Sequence, residues 1–477
     1  MTCLINPGLI DEFSTIVGKR YTLTTSEDVH PYTRDARGRY NNPAQLVLKP
    51  STVKQVSNIL KLATKTRIGI IPQGGNTGLS GGALPLNGGD KNEIIVSMER
   101  MNLILEPDLE TNTMGVEAGS ILRDVQKKAD EVNRLFPLFL GSDRSCQIGG
   151  NISSNAGGMG VLAYGNTREL IMGLEVVLPN GDIWNGLSCL RKDNTGFDLK
   201  NLFIGAEGTL GIITKAILKL CSKPRGQKVA LVCLETPSQA LQLLNQSQFI
   251  AGGELTGFEL MSSLAMEFTL KYKADNIQRP FIRTAPWYVL IEISSRISNQ
   301  DAYDKLKTIL TFAYKNDLII EDNVSLSSDQ NESFWRLRRT LSESQKSQGA
   351  SVKHDISLPL NTIPSFINQA DRAIMNLIPG ARICNFGHLG DGNLHYNITQ
   401  PVDWNSADFY KHEAEIQTCI YEIVEKFQGS ISAEHGIGQM KTDKLEQIKD
   451  PIALSMMKKI KQSFDPGYIM NPGKLLK

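Results

Sequence analysis

Glycine places the tightest limits on this chain. There are 41 among 477 residues, and many gather in two short stretches instead of scattering among ordinary turns. From Gln73 to Gly82, positions 74, 75, 78, 81 and 82 are glycine. This stretch follows Ile68–Ile71, an apolar run that predicts a buried strand ending at Pro72. Glycine accepts positive φ and lets backbone N–H groups converge without Cβ clashes. A strand running into such a loop makes either a phosphate cradle or a flexible surface loop. The second cluster, Gly141 to Gly165, holds Gly149-Gly150-Asn151 and Asn155-Ala156-Gly157-Gly158. Its asparagines bring both donors and acceptors. Two such loops in one domain point to an extended dinucleotide ligand.

One string misleads. Gly158-x-Gly160-x-x-Ala163 has the spacing of a Rossmann fingerprint, but no strand pattern precedes it and Gly165-Asn166 breaks any helix after it. No phosphate-binding G-x-x-x-x-G-K-[ST] loop occurs.

A net charge of +1 argues against nucleic-acid or polybasic membrane binding. Apolar runs such as Trp287–Ile291 fall far short of the ~20 residues of a spanning helix. The start of the chain, with Asp11 and Glu12, lacks the pattern of a secretory signal. The seven cysteines (3, 146, 189, 221, 233, 384 and 419) form no C-x-x-C pair, as expected of reduced thiols in the cytoplasm.

The pattern predicts α+β architecture in two domains. The first covers residues 1–222 and the second 223–432; the pattern does not fix the placement of residues 433–477, a C-terminal segment expected to return towards the first domain's site. Ser51 is read as the cap of a helix from Thr52 to about Lys65, with Val53, Val56, Ile59, Leu60 and Ala63 on one face. Ser120 is read as the cap of the next amphipathic helix, and Asn180-Gly181 as a turn.

Three of the six histidines lie in two C-terminal motifs. In Gly387-His388-Leu389-Gly390-Asp391-Gly392-Asn393-Leu394-His395, Asp391-Gly392 signals a two-residue hairpin turn. That turn would pair His388 with His395 across the ladder, close enough to share a metal ion. Asn397 would fall on the same face. Two stacked or solvated histidines are the plainer alternative. Glu434, in Ala433-Glu434-His435-Gly436, adds the carboxylate that a two-histidine catalytic metal site needs, for zinc, manganese or another divalent ion. His435 beside it has the chemistry of a general base. His354 should face away from both Lys353 and Asp355 on a strand, and His30 and His412 read as surface residues.

A helix from about Gln330 to Gln345 puts Trp335, Arg338 and Ser342 on one face. An arginine fork and a hydroxyl one turn apart can grip a carboxylate; a solvated basic stripe with Arg336 and Arg339 is the alternative.

Pro72–Gly78, Gly149–Gly158 and Phe203-Ile204-Gly205-Ala206-Glu207-Gly208-Thr209-Leu210-Gly211-Ile212 resemble the flavin domain of vanillyl-alcohol-oxidase-type flavoproteins. Over nearly its whole length the chain resembles their FAD-dependent D-2-hydroxyacid dehydrogenase branch. Arg191–Leu199 and Lys353–Pro359 look more like the D-2-hydroxyglutarate enzymes than the D-lactate ones. The resemblance implies an FAD-binding domain and an α+β substrate or cap domain. It implies FAD contacts at Pro72, Gly74, Gly75, Asn76, Thr77, Gly78, Ser142, Cys146, Gly149, Gly150, Asn151, Asn155, Gly158, Glu207, Ile212 and Asn471. The metal, zinc by donor type, would be held by His388, His395 and Glu434. Arg338, Ser342, Lys353, Asn397 and His435 would hold the substrate, with His435 catalytic. Ala163 departs from the family's usual arginine. No histidine lies in Gln73–Gly82, so the FAD is expected to be non-covalent. Electrons would leave to an external acceptor, a carrier flavoprotein or a quinone, because no iron–sulfur or haem motif is visible. A homodimer is left open. D-Lactate or glycolate is the alternative substrate, and a flavin-dependent transferase or a non-catalytic flavoprotein subunit the remoter reading.

Overall fold

The computed structural model describes residues 5–35, 38–86, 93–272, 280–281 and 283–477. Cys3 lies outside the described residues. The chain divides into two compact units. The first comprises residues 1–157, 165–222 and 434–477, and the second residues 158–164 and 223–433. Among the described residues, no helix is long and apolar enough to cross a membrane.

The first unit has two four-stranded sheets. One runs Thr22–Leu23, Val47–Leu48, Glu93–Ser97, Gly69–Gln73 and is parallel apart from its first pair. The other runs Thr113–Glu117, Ile212–Lys219, Ile171–Val177, Ile183–Gly186 and is antiparallel throughout. The strand pattern Ile68–Ile71 appears as Gly69–Gln73, ending at the first glycine loop. The helix before it is Val53–Thr66. Its cap is Thr52, whose side chain accepts from the Gln55 N–H, one residue beyond the expected Ser51. Ser51 is held instead by the Gln55 side chain. Val56, Ile59, Leu60 and Ala63 are fully buried on one face, and each larger aliphatic side chain contributes about 1.5–3 kcal/mol. Ser120 does not cap the next helix either. That helix starts at Leu122 with Ile121 at the cap position and no side-chain cap bond.

The C-terminal segment completes the parallel sheet region. Ile70 donates its N–H to Ile469 O at 2.7 Å and accepts from Asn471 N at 2.7 Å. The buried Lys461 ammonium donates to Asp465 at 2.5 Å, Thr209 O at 2.7 Å and Met470 O at 2.8 Å.

The second unit is built on one seven-stranded, wholly antiparallel sheet. Its strands in chain order are β1 (Gly226–Leu234), β2 (Leu255–Ser262), β3 (Trp287–Ser295), β4 (Glu321–Val324), β5 (Ser351–Ser357), β6 (Arg382–His388) and β7 (Asn393–Thr399). Their spatial order is β4-β1-β3-β2-β6-β7-β5. The helices Ser263–Tyr272 and Ser328–Lys346 pack on one face, where Leu231, Met261, Leu290, Phe334, Trp335, Leu341 and Phe386 form the core. The Gly158–Gly160 string leads into a four-residue helix, Val161–Tyr164, and no strand precedes it.

The histidine hairpin corrects the predicted register. The turn is a short 3-10 segment, Leu389–Asp391, closed by Gly392 at φ 83°. It is longer than the two residues that Asp391-Gly392 signals. His395 therefore pairs with Phe386, not with His388. The slip is by two residues, so both histidines stay on one face of the sheet.

Candidate active site

In the first unit, the two glycine clusters converge. A Cβ on Gly75 would stand 1.9 Å from Ser145 O, and one on Gly74 would stand 3.6 Å from Gly150 N. Only glycine lets the loop after Gly69–Gln73 lie this close to residues 145–150. Gly78 and Gly150 border open space. Gln147 Oε1 and Asn151 Oδ1 are buried acceptors with no hydrogen-bond donor among the described residues. Unfilled acceptors and open glycines on converging loops fit a heteroaromatic ligand bearing N–H groups, and so fit FAD.

The other residues assigned to FAD are placed as follows. Pro72 is the last residue but one of the strand and Thr77 lies in the loop. Gly149 packs on Ala118, donating its N–H to Ala118 O. Ser142 O accepts the N–H groups of Ser145 and Cys146. The Cys146 thiol is buried, and burial raises its pKa, which keeps it a poor nucleophile. Ile212 is buried at the start of a strand. Asn76 donates to Arg34 O, and Asn155 accepts from Arg168 N. Gly158 belongs to the second unit.

Glu207 and Asn471 meet each other: Asn471 Nδ2 donates to Glu207 O at 2.7 Å and to Gly82 O at 2.8 Å. Glu207 accepts the Ile437 N–H at 2.8 Å and the Gly438 N–H at 2.7 Å. Ser80 Oγ donates to His435 O. These contacts anchor the loop that carries Glu434 and His435, whose side chains approach to 3.5 Å.

In the second unit, one face of the sheet gathers the remaining polar groups. The rings of His388 and His395 lie 5.6 Å apart, edge to face. Lys353 is the ladder partner of Asn397, and Asp355 that of His395. Asp355 Oδ1 is 3.8 Å from His395 Nδ1. Asn397 is buried and donates to Gln345 at 3.0 Å. On the Ser328–Lys346 helix, Trp335 and Arg338 are buried while Ser342 is exposed. His354 points to the opposite face, bonded to Tyr396 O. His30 is exposed.

Two buried carboxylates that the sequence reading missed hold this face together. Glu259 on β2 is the ladder partner of His388, and its Oε1 lies 2.8 Å from His388 Nδ1. Its Oε2 accepts a hydrogen bond from Arg338 Nε at 2.8 Å and forms an ion pair with Nη2 at 2.7 Å. Burial alone would raise its pKa, but His388 and Arg338 outweigh this and hold it below the ordinary carboxylate value. Glu292 on β3 accepts from Trp335 Nε1 at 2.7 Å and from Thr256 at 2.6 Å. A signal for both was present: a charged residue inside an otherwise apolar, buried strand demands a partner.

The donor chemistry of His388 and His395 suits a divalent metal. Each Nδ1 is turned towards a carboxylate, the arrangement that leaves Nε2 for a metal. Ala433, the last residue of the second unit, donates its N–H to Asp355 O.

Comparison with known proteins agrees with these features. Residues 44–186 match the FAD binding domain family. Residues 223–475 match the C-terminal domain of FAD linked oxidases. The chain is 35% identical over 467 residues to the mitochondrial D-2-hydroxyglutarate dehydrogenase of Arabidopsis thaliana, covering 98% of this chain and 81% of that protein. It is 34% identical over 472 residues to the D-2-hydroxyglutarate dehydrogenase of Stutzerimonas stutzeri, covering 99% of both. A solved structure of p-cresol methylhydroxylase superposes with a TM-score of 0.77 at 18% identity, covering 98% of this chain and 97% of that one; this likeness concerns the fold. The chain belongs to the FAD-dependent D-2-hydroxyacid dehydrogenase family, on a two-domain vanillyl-alcohol-oxidase-type fold.

Proposed function

We propose that this protein oxidises D-2-hydroxyglutarate to 2-oxoglutarate. One observation carries the substrate: Lys353 and Arg338 stand on the same sheet face as the His388–His395 pair. Two cations beside an imidazole pair suit a substrate with two carboxylates, and relatives over 98–99% of the chain are named for that substrate. FAD, when bound, supplies the hydride acceptor for C2. His388, His395 and Glu434 would hold a divalent metal, zinc by its donors, which would supply Lewis-acid activation of the C2 hydroxyl. His435 takes the hydroxyl proton. Arg338, Ser342, Lys353 and Asn397 orient the carboxylates, which is positioning catalysis. With no histidine in Gln73–Gly82 and Cys146 buried as a thiol, the FAD is held without a covalent bond. Electrons pass on to a carrier flavoprotein or a quinone.

The D-lactate reading draws on Glu259, which already pairs the Arg338 charge. An anaerobic titration separates the two. D-2-Hydroxyglutarate, D-lactate and their L-enantiomers are added separately, before and after chelation. Bleaching of the flavin's visible absorbance by D-2-hydroxyglutarate, abolished by the chelator, is the expected result. Bleaching by D-lactate alone would overturn the two-carboxylate assignment. Bleaching by no hydroxyacid, with FAD and metal bound, would overturn the dehydrogenase assignment.

A further inference from the structure

Strand β2 is buried along all eight of its residues. An ionised carboxylate there carries a desolvation penalty of several kcal/mol and persists only with close partners. Glu259 has two, one on each oxygen. Oε1 meets His388 Nδ1 at 2.8 Å, and Oε2 meets Nε and Nη2 of Arg338 at 2.8 and 2.7 Å. The partners come from different elements, β6 and the Ser328–Lys346 helix, and Glu259 is the group they share. Phe386 fills the space beside them, with the Arg338 guanidinium 5.0 Å from its ring.

A carboxylate at Nδ1 fixes the imidazole tautomer. It places the proton on Nδ1 and the lone pair on Nε2, the form that ligates a metal, and it raises the basicity of that nitrogen. On Arg338, the same carboxylate engages the Nε edge of the fork and so sets the plane in which the guanidinium presents its other edge. We propose that Glu259 is a positioning residue that couples the metal ligand His388 to the substrate-binding Arg338. This rests on the metal and carboxylate assignments above.

The test is Zn2+ affinity of the metal-free holoflavoprotein, measured by competition with a chromophoric chelator, alongside KM for D-2-hydroxyglutarate. Glu259→Gln should weaken Zn2+ binding about 10–100-fold and raise KM, with FAD content unchanged. Arg338→Met should raise KM and, because it removes one of the two partners of Glu259, weaken Zn2+ binding by less than Glu259→Gln does. Because Glu259→Gln leaves Arg338 unpaired in the interior, the charge-free double variant Glu259→Met with Arg338→Met provides a second route, and it should bind Zn2+ as weakly as Glu259→Gln. Wild-type affinity in either Glu259 variant overturns the proposal alone. A wild-type protein that binds no Zn2+ overturns the metal assignment and this proposal together. A readout without Glu259 substitution is the nitrogen spectrum of histidine-labelled wild type, with His388 assigned by loss of its signal in His388→Ala. A proton on Nδ1 supports the proposal, and a proton on Nε2 overturns it.

Discussion

Glu207 Oε2 accepts the Gly438 N–H at 2.7 Å, while Oε1 takes the neighbouring Ile437 N–H at 2.8 Å. The carboxylate thus spans the backbone two residues past His435. Glu207→Ala would leave both donors without their acceptor, at about 1–3 kcal/mol each when buried. The expected outcome is a lower melting temperature together with slower flavin reduction, since the His435 loop loses its anchor. Scanning calorimetry and single-turnover reduction read the two effects. A variant that melts and reacts like the wild type would show that the loop is held by other contacts.

Gly75 and Gly150 separate architecture from ligand binding. A Cβ at Gly75 collides with Ser145 O, whereas one at Gly150 meets nothing within 4 Å. Gly75→Ala should therefore destabilise the first unit and lose flavin. Gly150→Ala should fold normally yet purify with less FAD, because its methyl occupies space available to the cofactor. Flavin-to-protein absorbance ratios and circular dichroism decide it. Full flavin in Gly150→Ala would place the cofactor away from that loop.

Glu292 makes stability depend on pH. Burial raises its carboxyl above the ordinary value and Glu259 adds to this, against hydrogen bonds from Thr256, Trp335 and Ser294. A raised acid contributes fully below the unfolded pKa of about 4.3, and the contribution is lost as pH rises towards the folded value. Glu292→Gln keeps an acceptor for Trp335 and does not titrate. The variant should gain on the wild type as pH climbs above about 4.3, by at most about 1.4 kcal/mol per unit. Urea midpoints of both proteins across that range give the difference. Parallel curves would mean that folding leaves the Glu292 carboxyl at its ordinary value.

The cysteines should label in a fixed order. Cys189 is exposed, whereas Cys146, Cys233 and Cys384 are buried. Burial pushes the thiols of Cys233 and Cys384 up to about 12. Brief treatment with iodoacetamide at neutral pH, followed by peptide mass spectrometry, should find Cys189 modified and those three intact. Early labelling of Cys146 would show that its loop opens in solution.

What the sequence revealed depended on range. The face of Val53–Thr66 was legible because helical periodicity is local. Its cap was misplaced by one residue because Ser51 and Thr52 carry the same chemistry and only geometry chooses between them. The His388–His395 pairing was off by two positions, since a short 3-10 turn can replace a two-residue turn without changing the Asp391-Gly392 signal. Because side chains alternate with period two, the shared face nevertheless emerged correctly. Glu259 was missed: it lies 129 positions from His388, and nothing local links them. The C-terminal segment was equally opaque, as its anchors on Ile70 and Thr209 are backbone groups, which sequence patterns do not encode.

That last attachment orders events during synthesis. Gly69–Gln73 leaves the ribosome early, but the backbone partners of Ile70 are Ile469 and Asn471. At roughly 5–20 residues per second, the wait lasts tens of seconds. In that interval residues 223–433 have already emerged as a nearly continuous unit, whereas the flavin-binding unit still lacks its final segment. Nascent chains released early would therefore lose more than a tail: they would carry an unfinished apolar sheet, and such chains are natural clients for chaperones and proteases.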